Sequence, residues 1–318
     1  MTEHVLVVHR WPDGRARYER FLEHLRVDVS YVCTAPAVPT VPETAAGVEV
    51  VRRTDDLAEL ADAAGRLSRR IGAPDRILAL AAGDRQAAAE LRVLLGCPGQ
   101  HPPEVARHAP GPSGPRLDGL WDGSRLLAAR LSRPVGGLTG PGLAGTGVTA
   151  TVELDDADPA VAAPVLAAAL DRPATVHLAL RESGPGRYAV ESLTPWLPDD
   201  ELPVAWLRVH GVDLLAAEAA LQLGEPLPPV PAGGFGEVAG WLAVRPPRLP
   251  CVVEQAGYRP VAEPADTVEL PVPGTRLTGT PLSGFPPVRL GFRGGSTAAV
   301  ERAVRQAAAD LVLRCRPG

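Results

Sequence analysis

Two residues with side chains suited to proton transfer, His177 and Glu191, fall in neighbouring apolar segments. The pattern predicts strands over 175–181 and 188–193, joined by a turn at Ser183-Gly-Pro-Gly186. A histidine on one strand and a carboxylate on the next could act as an acid–base pair. The alternative for His177 is a hydrogen-bonded structural histidine. We predict His177 and Glu191 as the candidate catalytic residues.

A second group of candidates follows the first apolar strand of the chain. Residues 4–9 are predicted to form a buried strand, and His9, Arg10 and Trp11 come at its carboxyl end. Open α/β sheets bind their ligands at that end of the strands. We therefore predict that these three side chains contact a substrate, with a partly exposed strand end as the alternative.

A third group lies before a strongly helical segment, 212–223, and is predicted to be part of a loop. Its aromatic and cationic side chains could line a pocket for an aromatic or anionic ligand, although packing in the core is an alternative. The predicted substrate-binding residues of this group are Trp196, Arg208 and His210.

The absence of lysine excludes several kinds of chemistry. All 32 cationic residues of the 318-residue chain are arginine. There is thus no lysine for a Schiff base or for a phosphate-binding P-loop, and the Gly-rich stretch 136–147 does not indicate such a loop. The four cysteines are widely separated and form no C-x-x-C pair, so we predict reduced thiols and no metal site.

Charge and hydropathy exclude further classes. The net charge is −5 and the arginines are scattered among acidic residues, which argues against nucleic-acid binding. No stretch approaches the roughly 18 apolar residues of a membrane span. The first residues lack the basic and apolar pattern of a leader peptide, so a cytoplasmic location is predicted.

The first hundred residues alternate between predicted strands and helices. This order favours an open parallel sheet with helices on both faces. The strands are predicted at 4–9, 27–33, 48–51 and 76–80, and the helices at 13–26 with Asp13 as its cap, 55–71 and 84–95.

A Pro- and Gly-rich segment then separates this part from a second one in which antiparallel strands are predicted. Asp122-Gly123 indicates a hairpin. Strands are predicted at 117–121, 125–132, 148–154, 175–181, 188–193, 237–245, 250–256, 267–270 and 288–293, and helices at 159–170, 212–223 and 296–314. We predict an N-terminal domain over 1–97, a linker over 98–116 and a second domain over 117–318.

The order of several short motifs resembles the ATP-grasp carboxylate–amine ligases. In chain order they are Arg10-Trp11-Pro-Asp-Gly, Leu95-Gly-Cys-Pro-Gly-Gln100, Val176-His-Leu-Ala-Leu180, Gly186-Arg-Tyr-Ala-Val-Glu191, Gly211-Val-Asp-Leu-Leu215, Leu223-Gly-Glu-Pro-Leu227 and Gly240-Trp-Leu-Ala-Val-Arg-Pro-Pro247. The resemblance implies an α/β protein. An N-terminal Rossmann-like parallel sheet, the pre-ATP-grasp domain, would precede a truncated α+β ATP-grasp-like domain with a mainly antiparallel sheet.

The chain departs from this family where the nucleotide should bind. Active members carry a lid subdomain with two phosphate-binding lysines, which the linker over 98–116 replaces here. The resemblance implies an acidic metal ligand at the position of Ala179. It also implies a Glu-x-Asn-x-Arg motif at the positions where this chain has Glu191, Leu193 and Pro195. Because Mg²⁺ requires several oxygen ligands, we predict that the Mg·ATP site is lost and that no cofactor binds.

The first functional hypothesis is therefore an accessory protein of a biosynthetic pathway without ligase activity. It would bind an amino-acid-like or peptide-like small molecule, or a pathway enzyme, and loss of a subdomain favours a homo-oligomer such as a dimer. One alternative is an ATP-independent enzyme that uses His177, Glu191 and His9. The other is a divergent ATP-dependent ligase in which arginines replace the lysines.

Overall fold

The structure is a computed structural model. It describes residues 3–12, 15–100, 114–184, 187–197, 201–231, 235–260, 264–278 and 286–318. These residues form one parallel sheet, one large antiparallel sheet and one small sheet, with helices packed against them.

Four parallel strands form the N-terminal sheet, as predicted. They are β1 (His4–His9), β2 (Asp28–Thr34), β3 (Gly47–Val51) and β4 (Arg76–Ala79), in the order β3-β2-β1-β4. Helices α1 (Leu57–Ile71) and α2 (Arg85–Leu95) cover one face. Asp56 caps α1 by accepting hydrogen bonds from the backbone of Ala58 and Glu59.

The predicted helix over 13–26 is wrong for its described residues. Residues 15–26 form a 3₁₀ turn, Tyr18–Arg20, and irregular turns, while Asp13 lies outside the described residues. Packing outweighs the helical spacing here: Tyr18 is buried against the rings of His9 and Tyr31, whereas Leu25 is 92% exposed.

The large sheet has eight antiparallel strands in the order β12-β14-β10-β7-β6-β5-β8-β9. It confirms the antiparallel second part predicted from the sequence. Its strands are β5 (Arg116–Asp122), β6 (Leu126–Pro134), β7 (Gly147–Glu153), β8 (Pro173–Gly184), β9 (Arg187–Thr194), β10 (Val238–Arg245), β12 (Thr267–Glu269) and β14 (Val288–Gly294).

Three helices that lie between β7 and β10 in the chain pack against this sheet. Helix α3 (Ala163–Ala169) follows a 3₁₀ turn at Pro159–Ala162, so only the second half of the predicted helix is α-helical. Helix α4 (Leu202–His210) corrects the predicted loop: Pro203 is in its first turn, where proline is tolerated, and Trp206 is fully buried. Helix α5 (Leu214–Leu223) confirms the helix predicted at 212–223.

The C-terminal region differs from its prediction. Helix α6 (Thr297–Asp310) begins after Ser296, which caps it as predicted, but it ends before Leu311. Strand β15 (Leu311–Pro317) follows and pairs with β11 (Cys251–Tyr258), which also pairs with β13 (Arg276–Leu277). Leu311 and Leu313 are buried at alternate positions, as in a strand. The sequence prediction extends the helix through them because the preceding residues have helical spacing.

Helix α5 joins the two parts of the chain. It lies on the face of the parallel sheet opposite α1 and α2, and Leu215, Ala219 and Leu223 pack there. Strand β4 forms an edge of that sheet, and the Gln222 side chain binds both backbone groups of Ala79, with donor–acceptor distances of 2.9 and 2.8 Å. The Gln222 amide thereby pairs backbone groups that would otherwise be unpaired at the edge of the sheet.

None of the described helices combines the length and hydrophobicity needed to cross a bilayer.

Candidate functional site

The two faces of the large sheet differ in polarity. On β5 and β8, Leu117 and Leu178 point into an apolar cluster that includes α3. The residues that alternate with them, Asp118 and His177, therefore point to the opposite face. That face also carries Glu153 of β7, and α4 and α5 cover part of it. Titratable side chains of β5, β7, β8 and α4 thus converge on this face.

His177 is held by Asp118, a residue that sequence reasoning missed. The two are direct partners across β5 and β8, and His177 Nδ1 lies 2.6 Å from Asp118 Oδ1. Arg116 Nε lies 3.1 Å from the other oxygen, Asp118 Oδ2. The His177 side chain is 20% exposed and that of Asp118 is 1% exposed. Because an ionised carboxylate only accepts hydrogen bonds, Nδ1 carries the proton and Nε2 is left as the basic nitrogen.

The charges around Asp118 keep it ionised. Burial alone would raise its pKa, but the charge of Arg116, the charge that His177 carries when protonated and the His177 hydrogen bond together outweigh burial. The pKa of Asp118 is consequently lower than its ordinary value. A lowered pKa means that ionised Asp118 stabilises the folded state.

We expect Asp118→Asn to lower the free energy of unfolding by about 2 kcal/mol at neutral pH, because it replaces a buried, ionised hydrogen-bond acceptor by a neutral amide. The contribution of Asp118 is complete above the pKa of an unfolded aspartate, roughly 3.9. It is lost as the pH falls through the lower folded-state pKa. Urea unfolding from pH 7 to pH 3 should show the two proteins converging in acid. A constant difference over that range would contradict the assignment, and Asp62→Asn on the exposed side of α1 is the control.

The predicted partner of His177, Glu191, is bound elsewhere. It lies on β9, but Thr194 is the residue opposite His177. Glu191 Oε1 instead lies 3.1 Å from Arg181 Nε, in a pair whose arginine side chain is 65% exposed. The structure thus brings His177 together with Asp118 and places Glu191 in a surface ion pair.

The three predicted residues at the carboxyl end of β1 are buried in the N-terminal part of the chain. His9 Nε2 lies 2.8 Å from Thr40 Oγ1, and the Thr40 hydroxyl also donates to the Trp11 carbonyl. Arg10 donates through Nε to Asp84 at 2.7 Å. Asp84 is itself fully buried, so this contact fixes the carboxyl end of β1 to the start of α2.

The three predicted residues around α4, Trp196, Arg208 and His210, lie in different environments. Trp196 packs against Ala82 and Ala89 of the N-terminal part. His210 is buried, and its Nε2 lies 2.9 and 3.0 Å from the two carboxylate oxygens of Glu153. Glu153 also accepts the backbone N–H of Ala239 at 2.8 Å, so this pair connects α4, β7 and β10.

Arg208, the last predicted residue, lies in a groove between α4 and the outer strands of the large sheet. The groove is open to solvent. Apolar and charged side chains line it together: Glu201, Val204, Ala205, Arg208, Trp241, Thr267, Glu269, Arg289, Leu290 and Gly291. Arg208 was predicted from the sequence, but Glu269 and Gly291 come from segments far from it in the chain.

No His, Cys, Asp or Glu cluster among the described residues has the number and arrangement of side chains that a metal ion needs.

Solved structures with the ATP-grasp fold match almost the whole chain. An L-amino acid ligase from Bacillus licheniformis aligns over 98% of each chain with 12% identity and a TM-score of 0.64. A phosphoribosylglycinamide synthetase from Anaerococcus prevotii aligns over 99% of this chain and 100% of its own, with 6% identity and a TM-score of 0.60. The biotin carboxylase subunit of a pyruvate carboxylase aligns over 99% of this chain and 91% of its own, with 11% identity and a TM-score of 0.58.

The chain therefore has the ATP-grasp fold, which confirms the fold implied by its motifs. No protein-family model and no curated protein matches it.

Proposed function

We propose that this chain is an ATP-grasp-fold protein of a biosynthetic pathway that does not perform ATP-dependent ligation. It acts as an accessory protein that binds an amino-acid-like or peptide-like small molecule, or a partner enzyme. The names of the similar structures, an L-amino acid ligase and a phosphoribosylglycinamide synthetase, support a biosynthetic setting.

The observation that carries this proposal is the composition of the β8–β9 hairpin. At the positions where the resemblance expects metal ligands, Ala179 is buried and Leu193 packs in the apolar cluster with Leu178. The remaining carboxylate, Glu191, is paired with Arg181. One engaged carboxylate does not fit Mg²⁺, which requires near-octahedral oxygen coordination when it bridges nucleotide phosphates.

The absence of lysine supports the same conclusion. The resemblance implies that lysines of a lid bind the nucleotide phosphates, and this chain has no lysine. The predicted replacement of the lid by a linker falls mainly on residues 101–113, which lie outside the described residues. Arginines could substitute for lysines in a divergent ligase, but Arg181, the arginine beside Glu191, is already engaged with it.

The His177–Asp118 pair favours a second candidate function, an ATP-independent enzyme. Asp118 fixes the His177 ring, and the part-exposed imidazole keeps a basic Nε2 at the surface of the sheet. A histidine oriented by a buried carboxylate is suited to general acid–base catalysis. Glu191 and His9, the other acid–base candidates of this hypothesis, are engaged with Arg181 and Thr40.

We expect no nucleotide turnover when the protein is incubated with Mg·ATP and pairs of L-amino acids. ADP, AMP and phosphate release should stay at the level of a reaction without protein, because Glu191 is the one carboxylate at the expected metal-binding positions of the β8–β9 hairpin and the chain has no lysine. Coupled release assays and mass spectrometry of the products provide the measurement.

Nucleotide release that depends on both amino acids would overturn the proposed loss of ligation. The same incubations without ATP separate the two candidates. Product formation that disappears in His177→Ala would favour the ATP-independent enzyme over the accessory protein.

A further inference from the structure

The groove beside α4 contains a guanidinium whose donors are only partly used. Arg208 Nη1 donates to the Thr267 hydroxyl on β12. Its Nε and Nη2 are buried and have no hydrogen-bond partner among the described residues. Nε and Nη2 form one edge of the guanidinium plane, and two parallel N–H groups on one edge match the two oxygens of a carboxylate.

Gly291 provides the surface on which this guanidinium lies. A Cβ at position 291 would overlap with Arg208 Nη2 and would lie 2.7 Å from Thr267 Oγ1. Thr267 and Gly291 are direct partners across β12 and β14. Gly291 leaves space for the Arg208 guanidinium, and the Thr267 hydroxyl holds it there by a hydrogen bond. Arg208 is thus oriented before any ligand arrives.

The charge of Arg208 is not balanced by an ion pair in the described part of the chain. Burial lowers its pKa, although Asp266 acts in the opposite direction. The two acidic residues of the groove are engaged with other arginines: Glu269 contacts Arg289, and Glu201 lies 3.3 Å from Arg15. An anion at the free edge of Arg208 would therefore satisfy two buried donors and one charge.

The remaining lining favours a ligand that carries an apolar group. Glu201 and Glu269 also border the groove, but each is paired with an arginine, which leaves the charge of Arg208 to attract an anion. Val204, Ala205 and Trp241 supply apolar surface next to the arginine. The combination suits a single carboxylate attached to a small apolar group.

We propose that this groove binds the carboxylate of a small apolar amino-acid-like or peptide-like ligand through the Nε–Nη2 edge of Arg208. The inference rests on the proposed function and specifies its ligand contact. The apolar group of the ligand lies against Trp241, and Gly291 keeps the arginine in its binding position.

The test compares L-alanyl-L-leucine with its C-terminal amide by isothermal titration calorimetry. The acid should bind at least tenfold more tightly than the amide, since the amide is neutral and its NH2 group would place a donor against one of the two Arg208 N–H groups. Arg208→Lys, which keeps the charge but not the planar edge, and Gly291→Ala, which displaces the guanidinium, should each weaken binding of the acid at least tenfold. Arg305→Lys, on the exposed face of α6, should leave it unchanged.

Equal binding of the acid and the amide would overturn the carboxylate site while leaving the proposed accessory function intact. Unchanged affinity in Arg208→Lys, or no binding of the acid at millimolar concentration, would also overturn it. Tighter binding of inorganic phosphate than of the acid would instead assign the groove to a phosphate group. Turnover of Mg·ATP by the same preparation would contradict the proposed function, independently of these outcomes.

Discussion

Replacing Glu218 by alanine is expected to lower the free energy of unfolding by about 3–5 kcal/mol, the range for breaking a buried ion pair from one side. Glu218 is fully buried in α5 and accepts a hydrogen bond of 2.6 Å from Arg85 of α2. Thr175 of β8 and Gln222 donate to the same carboxylate. Without Glu218, the buried Arg85 guanidinium has lost its counter-charge. Urea unfolding at neutral pH measures the effect.

Two further variants separate this ion pair from a general effect of losing a carboxylate. Glu301→Ala removes a part-exposed carboxylate that pairs with Arg133 and Arg305, and should cost about 1 kcal/mol or less. Arg85→Ala combined with Glu218→Ala should cost less than the sum of the two single changes, because no charge is left alone. Additive costs would contradict the pairing.

A large effect is also expected from Gly142→Ala, which should lower the free energy of unfolding by about 2–3 kcal/mol, as overpacking does. A Cβ at Gly142 would overlap with the Leu311 carbonyl oxygen and lie 2.7 Å from Val312 Cα. These are backbone atoms of β15 and cannot turn away as a side chain can. Thermal or urea unfolding checks the change.

Gly136 is the matched control, since it belongs to the same Gly-rich stretch and a Cβ there meets nothing within 4 Å. Gly136→Ala should change stability by no more than about 0.5 kcal/mol. If the two alanine variants unfolded alike, close packing against β15 would not be the reason for glycine at position 142.

The parallel sheet was predictable because its signals are local. Strands such as β1 are short apolar runs, and α1 has both a cap and a regular apolar stripe. The segment 15–26 has a similar stripe but is not an α-helix, because burial of Tyr18 against His9 and Tyr31 determines its path. Local spacing cannot reveal such contacts between a turn and residues of two separate strands.

The candidate site shows the same limit. His177 was identifiable as a polar residue in an apolar strand, yet its partner depends on which strand lies on each side of β8. Sequence order suggested β9 and therefore Glu191, whereas β5 supplies Asp118. Similarly, Arg208 was identifiable, but the Thr267–Gly291 pair that orients it exists only once β12 and β14 are aligned.

The position of α5 against the parallel sheet has a consequence for the order of synthesis. The first hundred residues leave the ribosome with the backbone groups of Ala79 unpaired on the outer side of β4 and with one apolar face of the sheet only partly covered. The helix that completes both, up to Leu223, is made only after more than a hundred further residues. If the parallel sheet folds during translation, it folds without α5, and the apolar residues that this helix covers stay open to association with other chains until the helix is made.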